Sequence, residues 1–408
     1  MPPILFVAAL TLTQPPAAGP PRFAVSTASG RPVTGRVERL LPKWGAKIGD
    51  PDATVPPGDL IGLANAGRPR PPLPGGPQLV LANGDRIPGT LAGGDDLAVT
   101  ITPAVSPGKA GATWRVPLAQ VRVLWLEAPP AEYPIDPDRY PWLTAGRKKD
   151  VVLFRNGDTL SGDIERFAGD GRSLTWKPPG GKGSAVLDLS LVSAVALNPT
   201  LVAGRKPRGP YARVVTADGT RVSVSAAEGD GARVNCTATF GAKFDLPLAE
   251  LAALDVLQGK AVYLSDLKPA RATTEGYGEL TWPWRSDRSA KGDPLRLVTP
   301  RGEETFDKGL GTHPRTTLVY PLGKKYRRFE ATVGLDAATG RRGAAAVRIL
   351  VDGKEHPAPE LARLSAAGGA VPVSVDVSRA GELTLVVDFG PAGDVQADVD
   401  WADARLVE

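Results

Sequence analysis

Residues 306–336 read FDKGLGTHPRTTLVYPLGKKYRRFEATVGLD, and the alternation near the end of that stretch decides the fold. Phe329, Ala331, Val333 and Leu335 share one parity, while Arg328, Glu330 and Thr332 share the other. Successive side chains of a strand point to opposite faces, so a period of two marks a strand with one face in a core. The same period recurs in AVRILVDG with Val347, Ile349 and Val351, in VPVSVDV with Val371, Val373, Val375 and Val377, and in ELTLVVDF with Leu383 and Leu385. Several such strands in one segment bury their apolar faces by packing two sheets together, which makes a sandwich.

Working outward, composition agrees. The 408 residues exceed one ordinary core and predict several small domains. The 47 Gly and 41 Pro interrupt helix interiors and favour short strands joined by turns, so the whole chain reads as all-β. A formal charge of +5, with no concentrated basic stripe and no reading helix, argues against nucleic acid as a partner. The lone Cys236, in RVNCTATF, excludes an intrachain disulfide and reads as a small core residue. With two histidines, and without H-E-x-x-H, C-x-x-C, G-x-S-x-G or a P-loop, the usual catalytic kits are missing. The chain reads as a non-enzyme.

The C-terminal segment carries further separated motifs in order: VYLSDLKP from Val262, then KGLGTHPR around His313, ILVDG at 349–353 and DWADARL at 400–406. Together they resemble the NPCBM family, a carbohydrate-binding module associated with glycoside hydrolase family 98, over residues 262–408. The resemblance implies a jelly-roll-like β-sandwich and a glycan or glycosylated surface as partner, with His313 at the family's signature position. Sugar sites combine an aromatic face for the pyranose C–H bonds with a few fixed polar groups for its hydroxyls. The loop GELTWPWRSDRS at 278–289 supplies both kinds, so Trp282, Trp284, Arg285 and Asp287, with His313 and Arg315, are the candidate binding residues. For His313 the alternative is a turn histidine that staples its loop to the next sheet; Trp401 reads as core. Related sandwiches hold a structural calcium, for which Asp398 and Asp400, with Asp403 beyond them, are the candidate oxygen ligands. No other cofactor is implied.

The front of the chain repeats. LVLANGDRIPGTL (79–91) and VVLFRNGDTLSGDI (151–164) share an apolar strand, an Asn-Gly-Asp turn and a later Gly; FAVSTASGRPVTGRV (23–37) and ARVVTADGTRVSVSA (212–226) are weaker copies. Asn-Gly and Asp-Gly between apolar runs mark tight hairpins, whose positive φ only Gly and Asn accept cheaply. The expected units are 22–66, 78–128, 150–199 and 211–258, each an SH3-like or Sm-like small barrel, or else part of one continuous β-array. Pro-rich joints at 67–77, 129–149 and 203–210 read as extended spacers, with Tyr133, Tyr140 and Trp142 anchoring the middle one.

Residues 1–18 carry a short apolar run, Ile4 to Leu12, followed by Pro and small residues. That pattern predicts a signal peptide, hence a secreted or periplasmic protein without a transmembrane segment once the leader is removed. Two functions follow. One is a secreted, non-catalytic carbohydrate-binding protein whose repeats space or assemble the terminal module; the other is an extracytoplasmic scaffold that uses the sandwich and the repeats for protein–protein contacts, without sugar binding.

Overall fold

The computed structural model describes residues 19–30, 33–105, 112–128, 147–181, 183–202, 207–276, 282–339, 342–391 and 393–408. The expected signal peptide at 1–18, most of the 129–149 linker with Tyr133, Tyr140 and Trp142, and residues 278–281 of the Trp-bearing loop lie outside the described residues. What is described is all-β, with three-residue 3-10 turns between strands.

Four five-stranded units come first. Their strands are Arg22–Thr27, Val33–Leu41, Gly45–Gly49, Ala53–Val55 and Leu60–Asn65; then Gln78–Leu81, Arg86–Gly94, Ala98–Pro103, Trp114–Pro117 and Val121–Trp125. Next come Asp150–Phe154, Thr159–Phe167, Ser173–Lys177, Ala185–Asp188 and Val192–Ala196; then Tyr211–Thr216, Arg221–Gly229, Arg233–Ala238, Lys243–Pro247 and Leu251–Leu257. In every unit the first strand pairs with both the second and the fifth, and the third pairs with the second and fourth. Each second strand is nine residues long and slips register partway, at Val37/Arg39, Leu91/Gly93, Ile164/Arg166 and Val224/Ala226. A bulge there bends the strand, so the two ends of the sheet curl over a shared core in the SH3/Sm-like manner.

The units also pair with one another. Fifth strands join antiparallel, Gly62–Ala64 with Ala253–Asp255 and Val123–Trp125 with Ala194–Ala196. Second strands touch at Arg86↔Arg221 and Leu40↔Gly229. The apolar core is correspondingly continuous, running from Phe23 and Ile48 through Trp114 and Trp176 to Leu246 and Val256. Cys236 is buried in it, and burial pushes its thiol up to about 12.

The C-terminal sandwich has one sheet in the order Arg285–Ser286, Gly309–Thr312, Val399–Val407, Arg328–Leu335, Val371–Asp376, with Ala261–Tyr263 beside Val399–Val407. The facing sheet runs Arg271–Thr274, Thr316–Pro321, Glu382–Phe389, Ala344–Val351, Lys354–Glu355. Between them lie Phe329, Val333, Ile349, Leu385 and Trp401, the inward members of the alternating strands.

The stretch 67–77, expected as a spacer, is instead a packed strap. Arg70 is 5% exposed; its guanidinium donates to both oxygens of Asp255 at 2.6 and 2.8 Å, and to Asp403 of the sandwich at 3.3 Å. Its backbone N–H donates to Glu304 at 3.1 Å, and its carbonyl accepts from the Thr305 N–H. Arg221 donates to the carbonyls of Pro71 and Pro72 and to Asp307 at 2.8 Å. Proline cannot donate, so the strap's carbonyls are the groups left to satisfy, and buried arginines satisfy them.

Candidate functional site

The strand Gly309–Thr312, paired with Arg285–Ser286 on one side and Val399–Ala402 on the other, carries the His313 turn. A Cβ on Gly311 would lie 2.2 Å from the Arg288 carbonyl oxygen, so only glycine lets the 285–294 loop lie flat on this strand. Asp287 fastens that loop. Held at φ 57°, it takes its backbone bond from its N–H to the Gly309 carbonyl, while its carboxylate accepts from the Gly309 N–H at 3.1 Å and from Lys308 Nζ at 2.7 Å. Thr312 donates its hydroxyl to the Val399 carbonyl at 2.9 Å and accepts from the buried Trp401 indole at 3.3 Å. The residue before His313 is therefore pinned to the strand beside it.

On this base the Trp282 ring, 40% exposed, stands 6.0 Å from the His313 ring at a tilt of 37°. His313 Nε2 lies 3.9 Å from Asp398 Oδ1, and Lys291 Nζ lies 3.3 Å from Asp398 Oδ2. Burial holds the imidazole below its ordinary pKa, against the pull of Asp398 and Asp394. Near neutral pH the ring is uncharged and offers one donor and one acceptor. The result is an open aromatic face beside a neutral imidazole, an ammonium and a buried carboxylate.

The other candidates fall elsewhere in this neighbourhood. Trp284 is half-buried and packs against the sandwich core, so the two tryptophans expected as loop platforms divide, and only Trp282 stays open. Arg285 is exposed and donates Nε to the Ala290 carbonyl at 3.1 Å. Arg315, at φ 63°, pairs with Glu275. Asp403 belongs to the Arg70 contact, away from Asp398 and Asp400. Asp400 is fully buried beside Asp336 and accepts from the Arg296 N–H; burial, then Asp336, pushes its carboxyl well above the usual range. Among the described residues no group of three or more His, Cys, Asp and Glu side chains is arranged to hold a metal ion.

Lys291 and Asp394 were missed by the sequence reading. Lys291 sits in SAKGD, just past the tryptophans, and nothing local says that it meets an aspartate 107 positions further on (398 − 291).

A family model described as NPCBM/NEW2 domain matches residues 260–407. A curated protein of Renibacterium salmoninarum, named "Putative endo-alpha-N-acetylgalactosaminidase", is 29% identical over 150 residues, which is 36% of this chain and 10% of the relative. The chain thus spans a tenth of the length of the curated relative it matches. Among solved structures, the CBM51 of Clostridium perfringens GH95 in complex with methyl-galactose is 28% identical, covering 36% of this chain and 99% of that one, with a TM-score of 0.33. CBM51-2 with the INT domains of Clostridium perfringens ZmpB, in complex with GlcNAc, is 23% identical over 48% of this chain and 43% of that one, with a TM-score of 0.34.

Proposed function

Residues 260–407 being an NPCBM/NEW2 domain, we propose that this chain is a secreted or periplasmic, non-catalytic carbohydrate-binding protein that takes its sugar at the Trp282–His313 surface. The observation that carries the reading is the exposed Trp282 ring beside a neutral, largely buried imidazole. The indole face packs on the C–H face of a pyranose, as aromatic rings at sugar sites do. His313 and Lys291 then donate to ring hydroxyls and Asp398 accepts from one. Arg285 and Arg315 lie along the rim, where their exposed guanidinium groups reach the outer residues of a longer glycan. The four barrels act as an assembly or spacing platform.

The test is a glycan array with the full chain, followed by calorimetric titration of a hit. Trp282→Ala is expected to weaken binding at least about tenfold, since loss of an aromatic platform removes about 1.4 kcal/mol or more. A chain that binds no glycan on the array overturns the reading and leaves the scaffold function in its place.

A further inference from the structure

The hairpin turn that opens each unit is the same structure four times. The glycines Gly30, Gly84, Gly157 and Gly219 have φ of 81°, 86°, 90° and 90°. Just before them, the N–H groups of Ala28, Ala82, Arg155 and Ala217 donate to the carbonyls of Asp59, Gln120, Leu191 and Glu250. In three units this turn is a docking contact. Arg328 of the sandwich donates to the Thr27 carbonyl at 3.1 Å, in the first unit. Arg213 donates to the Asn83 carbonyl at 2.8 Å and to Asp85 at 3.2 Å, joining the second unit to the fourth. Gly219 lies against the strap, where a Cβ would come 2.7 Å from the Pro72 carbonyl oxygen.

The third unit differs. Arg155, Asn156, Gly157, Asp158 and Thr159 are all exposed, and nothing stands within 4 Å of where a Gly157 Cβ would be. Its residues depart from the pattern at the two positions flanking the turn. Arginine replaces the alanine of the other three, and leucine replaces Asp59, Gln120 and Glu250. Leu191 is 59% exposed, an apolar side chain in water where its counterparts are polar. In the second strand, Arg86–Pro88 and Arg221–Ser223 are buried, whereas Thr159 and Ser161, like Thr34 of the first unit, are exposed.

We propose that this turn, Arg155 to Thr159 with Leu191 beside it, joins two copies of the chain about a two-fold axis passing between their Thr159 residues. The molecule already contains the geometry. Arg86 and Arg221, each two residues after its turn glycine, form an antiparallel bridge, so the second and fourth units meet at equivalent positions. Thr159 is the third unit's equivalent. A two-fold interface must be self-complementary, and this patch is. It brings a guanidinium 3.5 Å from Glu127, the Asp158 carboxylate, which accepts from Asn156 Nδ2 at 2.7 Å, the Asn156 carbonyl, and an exposed leucine to face its own mate; Asp158 and Asn156 are the counterparts of the residues that hold Arg213.

The experiment is sedimentation of the full chain over about 1 to 100 μM, spanning the range where a small interface associates. A concentration-dependent dimer is expected, and Leu191→Asp, exposed and so neutral to folding, should return it to monomer with an unchanged melting curve. Antiparallel partners stand about 4.5 to 5.5 Å apart at Cα, within disulfide reach, so oxidised Thr159→Cys should run as a covalent dimer. Ser225→Cys, exposed on the fourth unit, should not, and the buried Cys236 gives no background. A monomer throughout, a dimer indifferent to Leu191→Asp, or no cross-link through residue 159 each overturns the proposal; a monomer would leave the turn to a different protein.

Discussion

His313 and Trp282 separate two kinds of contribution at a single surface. Trp282 is open and supports little of the core, so Trp282→Ala should change stability by no more than about 0.5 kcal/mol while removing affinity. Trp401, equally aromatic but fully buried with its indole N–H on Thr312, should cost about 3 to 5 kcal/mol as alanine. Paired melting curves check both. His313 adds a pH dependence whose sign follows from its lowered pKa. The unfolded chain takes up the proton first as pH falls below about 6.5, so this residue's linkage lowers stability progressively from there down to the folded-state pKa. Affinity depends on the folded state alone, whose imidazole keeps a donor whether or not it is protonated, so His313→Gln, which keeps a donor, should retain most of the binding and His313→Phe, which has none, should weaken it. Melting curves at pH 7.5 and 5.5 check the linkage and titrations of the two variants check the contact; binding unchanged in His313→Phe would remove His313 from the site.

At the scale of the element, the four turns share one backbone and differ in what leans on them. Valine at any of the turn glycines is strained at φ near 90°, at a cost of about 1 to 3 kcal/mol. Gly157→Val meets no neighbour and should show that cost alone, whereas Gly219→Val also drives a Cβ to 2.7 Å from the Pro72 carbonyl and should displace the strap. Chemical denaturation of the two variants is expected to place Gly219→Val as the less stable. Equal losses would mean that the strap contributes little. The asymmetry was invisible in the repeats, because the Asp-Gly at 218–219 and the Asn-Gly at 156–157 write the same turn. What contacts a turn from outside its own unit is decided by residues 130 or more positions away.

For the whole molecule the decisive group is Arg70, which ties the strap, the fourth barrel and the sandwich at one point. Arg70→Ala removes the guanidinium that bridges Asp255 and Asp403, and breaking a buried pair in this way costs about 3 to 5 kcal/mol. Calorimetry should show one cooperative transition in the wild type resolving into two in the variant, barrels and sandwich separately. The same junction has a pH signature. Burial pushes Asp403 up to about 6, against the opposing pull of Arg70. An ordinary unfolded aspartate titrates near 3.9, so the folded state binds the extra proton between about 4 and 6. Asp403 thus costs stability above pH 6, and that cost is relieved as pH falls toward 4. Asp403→Asn, which suits the residue's φ of 50°, should gain on the wild type at pH 7.5 and lose that advantage by pH 4.5. Denaturant midpoints at the two pH values check it.

The strands of the sandwich, the four hairpin turns and the family of the C-terminal domain are legible in the residues alone. Each of these rests on local periodicity, turn chemistry or motif order, written within a few dozen consecutive residues. His313 and Trp282 were legible as candidates for the same reason. That Trp284 turns to the core while Trp282 does not, that Lys291 and Asp398 flank the histidine, and that a Pro-rich stretch with the composition of a spacer is a packed strap follows only from how the sheets pack. In each case the deciding contact joins residues remote in the chain, and composition carries no record of what a side chain will meet once sheets have packed. The third unit's turn stands between the two. Its arginine and leucine are plain in the sequence, but only the packing of the other three turns shows that they depart from a rule.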